Sequence, residues 1–200
     1  MIIDHPDFGP RIEALVGELE RGTQAEIVVV VARASGSYQD VRLATAGVVA
    51  MTTLFAVVYS PFDVHPLNLP LFMLALGALS WWLSGRFPAS IRALTRRTRR
   101  EAQVLEAARA TFVEEAVHGT RERTGVLVYV SELEGRAALV RDLGLDGKVA
   151  GSAWNGLDLS LQRLDQLELL LGQVGAILAE HLPASDDNPN EIPNAPVVRS

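Results

Sequence analysis

The sequence contains no cysteine and only four histidines, and both shortages limit its chemistry. Without cysteine the chain forms neither a disulfide nor a thiolate–metal site. The histidines are scattered without the spacing of metal ligands, at His5, His65, His118 and His181. Glycine-rich phosphate loops and the Cys-x5-Arg and Asp-x-Asp motifs are also missing. These absences weigh against nucleotide binding and against the common phosphatase mechanisms.

The N-terminal residues lack the marks of a signal peptide. The stretch from Met1 to Asp7 has neither a basic region nor the apolar run that follows one. We therefore expect the soluble parts of the chain to start in the cytosol.

Charge is absent from two long stretches in the first half of the chain. The uncharged runs Leu43–Pro61 and Leu67–Gly85 are separated by the short break Phe62–Pro66. Each run has about the 17–20 residues that a helix needs to cross a bilayer. Trp81 and Trp82 lie near one end of the second run, where aromatic rings favour the headgroup level. Residues 41–86 are predicted to form a transmembrane helical hairpin.

Basic residues flank this hairpin on one side of the membrane only. Arg42 precedes the first apolar run, whereas the break between the runs carries Asp63 and no Lys or Arg. Arginine excess marks the cytoplasmic side, so a two-span protein of the inner membrane with both ends in the cytosol is predicted. Anionic lipid headgroups, and not nucleic acid, are the expected partners of the arginines that follow the second apolar run. These are Arg86, Arg92, Arg96, Arg97, Arg99 and Arg100.

Periodicity predicts an α/β domain on both sides of the hairpin, in segments 1–40 and 87–183. Its first strand, Ala25–Ala32, is apolar at seven of its eight residues, which is typical of a strand buried on both faces of a parallel sheet. Residues 184–200 are rich in Asp, Asn and Pro and are predicted to be a disordered tail. The other predicted elements are helices Phe8–Glu20, Pro88–Val117, Lys148–Gln162 and Leu164–Leu182, and strands Gly125–Ser131 and Ala137–Arg141.

The order of these elements predicts how the sheet is connected. A strand, a long helical connection and a second strand favour a parallel pair. The hairpin is then an insertion within one domain, and the first and second strands pair across it.

Several motifs in the second half resemble the TPM domain family. The most specific is Arg123–Ser131 within Thr120–Ser131, followed by Glu134, Asp142–Leu145 and Trp154. The stretches Thr23–Val31 and Asn188–Pro193 are also similar to the family's opening strand and to endings of bacterial members. The resemblance implies a small α/β/α sandwich with a mixed sheet. Members of the family are described as acid-phosphatase-like, calcium-binding, photosystem repair or assembly factors, and receptor accessory proteins.

The resemblance also indicates candidate sites. Carboxylates near strand ends suggest a calcium site formed by Glu132, Glu134 and Asp142, since calcium prefers several oxygen ligands. Glu26 does not join them, because it begins its strand and they follow theirs. Arg121, Arg123 and Trp154 are candidate interface residues, although a structural role is the plainer interpretation of each.

Three hypotheses about function follow. The first is a non-catalytic, membrane-anchored TPM-like module that binds or helps to assemble a membrane protein. The second is a metal-dependent phosphatase-like hydrolase that uses the acidic strand-end loop. The third is a homo-oligomeric membrane scaffold, in which Gly47, Ala50 and Gly77 allow helices of different copies to approach closely.

Overall fold

The computed structural model of the chain describes residues 2–61, 65, 68–185 and 189–199. It divides into two compact units, one made of Met1–Gly36 with Arg100–Ser200 and the other of Ser37–Arg99. We call the first the sheet unit and the second the hairpin unit. The sheet unit is therefore discontinuous in sequence, and the hairpin unit interrupts it.

The described residues form seven α-helices and four strands. The helices are α1 (Phe8–Glu20), α2 (Gln39–Val58), α3 (Asn68–Arg86), α4 (Pro88–Leu94), α5 (Arg97–Glu114), α6 (Leu143–Asp146) and α7 (Leu164–His181). The strands are β1 (Ile27–Ala32), β2 (Val126–Ser131), β3 (Arg136–Arg141) and β4 (Val197–Arg199).

One mixed sheet with the strand order β3-β2-β1-β4 forms the centre of the sheet unit. β1 and β2 pair in parallel from Ile27 opposite Val126 to Ala32 opposite Ser131, which confirms the predicted pairing across the insertion. Every residue of both strands is buried, as expected for β-branched runs at the centre of a covered sheet. β3 returns antiparallel to β2 as a hairpin.

Helices cover both faces of this sheet. On one face, Val29 and Val31 pack in the cluster that includes Ile12 of α1 and Val174 of α7. On the other face, Val28 belongs with Val104 and Phe112 of α5 to a second cluster. Alternate residues of β1 thus feed two cores, which makes a mixed α/β architecture with helical layers on both sides.

The hairpin unit contains two helices that are long and apolar enough to span a membrane. None of the residues of α2 is buried, and large apolar side chains such as Leu74 of α3 are strongly exposed. α2 and α3 approach closely at Gly77, where an added Cβ atom would lie 3.5 Å from the Ala46 carbonyl oxygen and 3.8 Å from the Ala50 Cβ. Except for His65, the predicted loop Phe62–Pro66 lies outside the described residues.

Two predicted helices are wrong. The helix predicted over Pro88–Val117 is two helices, because Thr95 has an extended backbone (ψ 131°) and a buried side chain between α4 and α5. Lys148–Gln162 contains only a short 3-10 helix, Gly151–Trp154. A glycine destabilises a continuous helix by about 1 kcal/mol. Gly151 begins the short 3-10 helix and Gly156 follows shortly after its end. Asp7 precedes α1, but its side chain caps no backbone N–H.

The C-terminal tail is not the disordered segment that its composition predicts. Val197–Arg199 pairs in parallel with β1 as the fourth strand of the sheet. Two buried carboxylates hold the segment that leads to it. Glu26 accepts hydrogen bonds from the backbone N–H groups of Glu191 and Ile192, and Glu20 accepts one from the Asn194 side chain. The tail covers an edge of β1 that would otherwise be unpaired.

Candidate functional site

The structure does not bring the three predicted calcium ligands together. Glu132 and Glu134 lie in the turn between β2 and β3, whereas Asp142 follows β3. Because β2 and β3 are antiparallel, Asp142 returns to the start of β2, where its N–H donates to the Gly125 carbonyl. The six residues of β2 span roughly 17–20 Å, so one ion cannot contact both ends. The site built on all three carboxylates is wrong, and the described residues contain no other group of three His, Cys, Asp or Glu suited to a metal.

Glu134 serves as an internal hydrogen-bond acceptor. Its side chain is 1% exposed. The carboxylate accepts hydrogen bonds from the Ser131 hydroxyl and, at 3.1 Å, from the Ser35 backbone N–H. The carbonyl of Glu134 accepts a hydrogen bond from Arg100 Nη1 at 2.9 Å. Glu134 thus joins the β2–β3 turn to the segment after β1, and Gly135 (φ 63°) allows the tight turn.

Glu132 is placed differently from Glu134. One carboxylate oxygen accepts the Ile3 backbone N–H at 3.0 Å, while Oε2 is buried without a partner in the described part of the chain. An ion bound by Glu132 and Glu134 without Asp142 stays a prediction.

Asp142 is an anchor for the loop before β2. Its two carboxylate oxygens accept hydrogen bonds from Arg123 Nε and Nη2 at 2.7 and 2.8 Å, and one of them caps α6 at the Leu143 N–H. Burial by itself would raise the pKa of Asp142, but these hydrogen bonds outweigh it and hold the pKa below its usual value. The pair fixes Arg123, which has a left-handed backbone (φ 57°). Arg123 therefore has a structural role, and its predicted part in an interface stays a prediction.

A polar cavity of about 140 Å³ lies at the amino ends of β1 and β2. Glu26, Arg121 and Glu191 are among its lining residues. Burial raises the pKa of Glu26, although the N–H groups of Glu191 and Ile192 act in the opposite direction. Open α/β sheets bind ligands beyond the carboxyl ends of their strands, and this cavity lies at the other end. The tail of the chain lines much of it.

A larger groove of about 380 Å³ follows the outer edge of β3. Its lining includes Leu105 of α5, Leu139 of β3, Trp154 of the 3-10 helix, and Leu159. The Arg141 guanidinium lies 5.2 Å from the centre of the Trp154 ring. Sequence reasoning placed Trp154 in a core or a groove but missed the site, because the groove forms only where β3 becomes an edge strand.

The arginines after the second apolar helix divide into two groups. Arg99 pairs with Asp40 within the hairpin unit at 2.6 Å, and Arg100 donates to the Glu134 carbonyl within the sheet unit. These two contacts engage the side chains in the protein itself. By contrast, Arg86, Arg92 and Arg96 form no ion pair among the residues that the structure describes. The predicted contact of these arginines with lipid headgroups stays a prediction.

Comparisons with known proteins provide a fold and no family. No family model matches the chain, and no curated protein matches it. A solved structure, the NMR structure of the BA42 protein from the psychrophilic bacterium Bizionia argentinensis, is similar with a TM-score of 0.54 and 16% sequence identity. The similarity covers 95% of this chain and 91% of that one. At this identity the likeness concerns the fold alone.

Proposed function

We propose that the chain is a membrane-anchored, non-catalytic module of the TPM-like fold that binds a membrane protein or helps to assemble it. The observation that carries this proposal is the interruption of the sheet unit by the hairpin unit. β1 lies before the two apolar helices and its partner β2 lies after them. Two covalent crossings would hold such a domain at the membrane surface, where only partners in or near the bilayer are within reach.

The proposed orientation places both ends of the chain in the cytosol at the inner membrane. Arg42 before the first span and Arg86 after the second support it through the positive-inside rule. Arg86, Arg92 and Arg96 are available for anionic headgroups, each contributing about 1 kcal/mol near the surface.

The hydrolase alternative has less support from the geometry. It requires the strand-end carboxylates to bind a metal or activate water. Glu134 instead accepts hydrogen bonds from Ser131 and Ser35, and Asp142 pairs with Arg123 at the opposite end of β2. Phosphate release from a model ester that is unchanged in the Glu132→Gln, Glu134→Gln double variant would rule this alternative out.

The scaffold alternative depends on small residues that remain available to another copy. Gly77 of α3 lies close to Ala46 and Ala50 of α2 in the same chain, because a Cβ added there would be 3.5 and 3.8 Å from them. Gly47 has nothing within 4 Å of an added Cβ among the described residues. Most of the small residues are therefore used within the hairpin, which favours the adaptor proposal.

The test of the proposal uses the full chain in its native membrane. A tagged chain is crosslinked in cells, extracted with detergent and immunoprecipitated. We expect a membrane protein to be recovered in a fixed ratio to the chain, and its recovery to be lost when the sheet unit is disrupted by Gly144→Val. A matched Gly147→Val variant, at a position with nothing within 4 Å of an added Cβ, should retain it. Recovery of the chain alone would contradict the proposal.

A further inference from the structure

The residues that the structure describes cover the outer edge of β3 only at its beginning. The Ala137 N–H donates to the Leu159 carbonyl at 2.7 Å, and the Leu161 N–H donates to the Gly135 carbonyl at 3.2 Å. The chain before Leu159 then turns away into the 3-10 helix. A short segment thus pairs with the start of β3 and leaves the rest of the edge open.

The open part of the edge presents the backbone groups of Leu139 and Arg141. In an antiparallel pair, alternate residues direct their N–H and C=O groups to the partner strand. The Asp142 N–H donates to β2, whereas the Ala137 N–H donates to Leu159 on the opposite side. Leu139 and Arg141 alternate in step with Ala137, so their N–H and C=O groups also point away from β2. Neither residue forms a backbone hydrogen bond on that side within the described chain. Two residues of β3 are therefore an unpaired template for a further strand.

This open edge forms the floor of the groove of about 380 Å³. α5 contributes Leu105 to one wall, and the 3-10 helix contributes Trp154 to the other. The side chains of a strand alternate between its two faces. A strand laid on β3 would therefore direct alternate side chains toward Leu105 and toward Trp154.

The Trp154 wall carries two unsatisfied donors. Trp154 Nε1 and Arg141 Nη1 are both buried and lack a hydrogen-bond partner in the described residues. A buried donor without a partner costs about 1–3 kcal/mol, and more for a charged group. An acidic side chain bound in the groove would be an acceptor for the Arg141 guanidinium. Arg136 of the lining pairs with Glu101 at 3.2 Å, whereas the ion-pair partner of Arg141, Asp146, lies 3.9 Å from its Nη2.

We propose that this groove binds an extended segment of the protein partner as an additional strand beside β3. The segment alternates acidic side chains, which accept from Arg141 and Trp154, with apolar side chains, which pack on Leu105. The outward N–H and C=O groups of Leu139 and Arg141 pair with its backbone, as in other cases of strand addition. This inference rests on the proposed adaptor function and names the chemistry of the segment that is bound.

A second copy of the chain fits the groove less well. Its own edge strand reads Arg136-Ala-Ala-Leu-Val-Arg141, with an arginine at each end and no acid. Pairing two such strands would bring like charges together and leave Trp154 and Arg141 without an acceptor. The charge of the groove therefore favours an acidic partner over self-association.

The test uses the full chain in lipid nanodiscs and a mixture of hexapeptides that alternate Val or Ile with Asp or Glu. We expect saturating peptide to slow hydrogen exchange at the Leu139 and Arg141 amides about ten-fold or more. Arg141→Gln should weaken binding about ten-fold, because a hydrogen bond to a charged group is lost. Arg109→Gln, an exposed arginine on α5, is the matched control and should bind as the wild type does.

Three results would overturn the inference. One is equal binding of a mixture with Lys in place of the acids, and another is binding without protection of the two β3 amides. The third is protection that depends on the concentration of the chain alone, which would indicate self-association. Immunoprecipitation with Arg141→Gln separates this inference from the function on which it rests. Undiminished recovery of the partner would refute the groove and keep the adaptor, whereas no partner even with the wild-type chain would refute the adaptor.

Discussion

Neutralising Glu20 should stabilise the sheet unit at alkaline pH. Glu20 ends α1 with 8% of its surface exposed. It accepts the Ile27 N–H at 2.9 Å and the Asn194 amide at 2.6 Å. Burial raises its pKa from 4.5 to about 7, against the hydrogen bond from Ile27 and with a contribution from the nearby Glu26. The Glu20 carboxyl group, which links β1 to the C-terminal segment, therefore binds a proton more tightly in the folded state than in the unfolded chain.

The sign of the pH dependence follows from this raised pKa. The folded state binds the proton more tightly than the unfolded chain, so stability is highest below the unfolded pKa and falls as pH rises through about 7. One pKa unit corresponds to about 1.4 kcal/mol, and ionisation of Glu20 therefore costs about 1–3 kcal/mol. Glu20→Gln removes the charge while its amide oxygen still accepts from Ile27, and Asn194 can turn its own amide oxygen toward the new donor. The free energy of unfolding at pH 8 should rise by about 1–3 kcal/mol.

Urea unfolding in detergent at pH 5 to 8.5 provides the measurement, followed by the fluorescence of Trp154, the one tryptophan of the sheet unit. The variant should show a flatter pH dependence between pH 5 and 7 than the wild type. Glu18→Gln, an exposed carboxylate on the same helix, is the control and should keep the wild-type slope. If Glu20→Gln and wild type lost stability in parallel up to pH 8, the reasoning from burial would be refuted.

Three other changes test the packing of the sheet unit. Gly144→Ala should lower the free energy of unfolding by about 1–3 kcal/mol, because its Cβ would lie 2.2 and 2.5 Å from two backbone carbonyl oxygens. The control Gly147→Ala, in open space, should be near neutral. Equal melting temperatures of the two variants would contradict the placement of Gly144. Asp142→Ala should lower the free energy of unfolding by about 1–3 kcal/mol at pH 7, because the pair with Arg123 and the cap of α6 are lost. The difference from the wild type should shrink in acid, as pH falls through the lowered pKa of Asp142. Asp146→Ala, at an exposed position, is the control. Replacing Leu43–Gly85 with a short soluble linker should leave a water-soluble chain whose β1 and β2 amides are protected from exchange, and an unfolded product would refute the insertion.

The sequence predicts the buried centre of the sheet well because burial leaves a strong pattern. β1 and β2 are mostly apolar runs rich in valine, and the parallel pairing follows from the helical connection between them. Hairpin register leaves no such pattern. Glu134 and Asp142 are eight positions apart in sequence, and only the antiparallel return of β3 shows that they lie at opposite ends.

Of the two edge strands, β3 was predicted as Ala137–Arg141, whereas β4 was missed. β4 contributes only three residues, and Pro- and Asn-rich sequence precedes its two valines. The β3 groove depends on where the Leu159 segment stops pairing, which is a property of tertiary packing. Short edge elements carry little local signal, and binding sites at edges are missed with them.

The central claim is that the chain crosses the membrane twice with the sheet unit on the cytosolic side. Because the protein has no cysteine, single-cysteine variants can be labelled without background. His65→Cys, between the two apolar helices, and Glu168→Cys, on α7, are treated in intact cells with a membrane-impermeant maleimide. The account predicts labelling of His65→Cys in intact cells and of Glu168→Cys only after the membrane is opened. Labelling of Glu168→Cys from outside, or of neither variant until lysis, would contradict it.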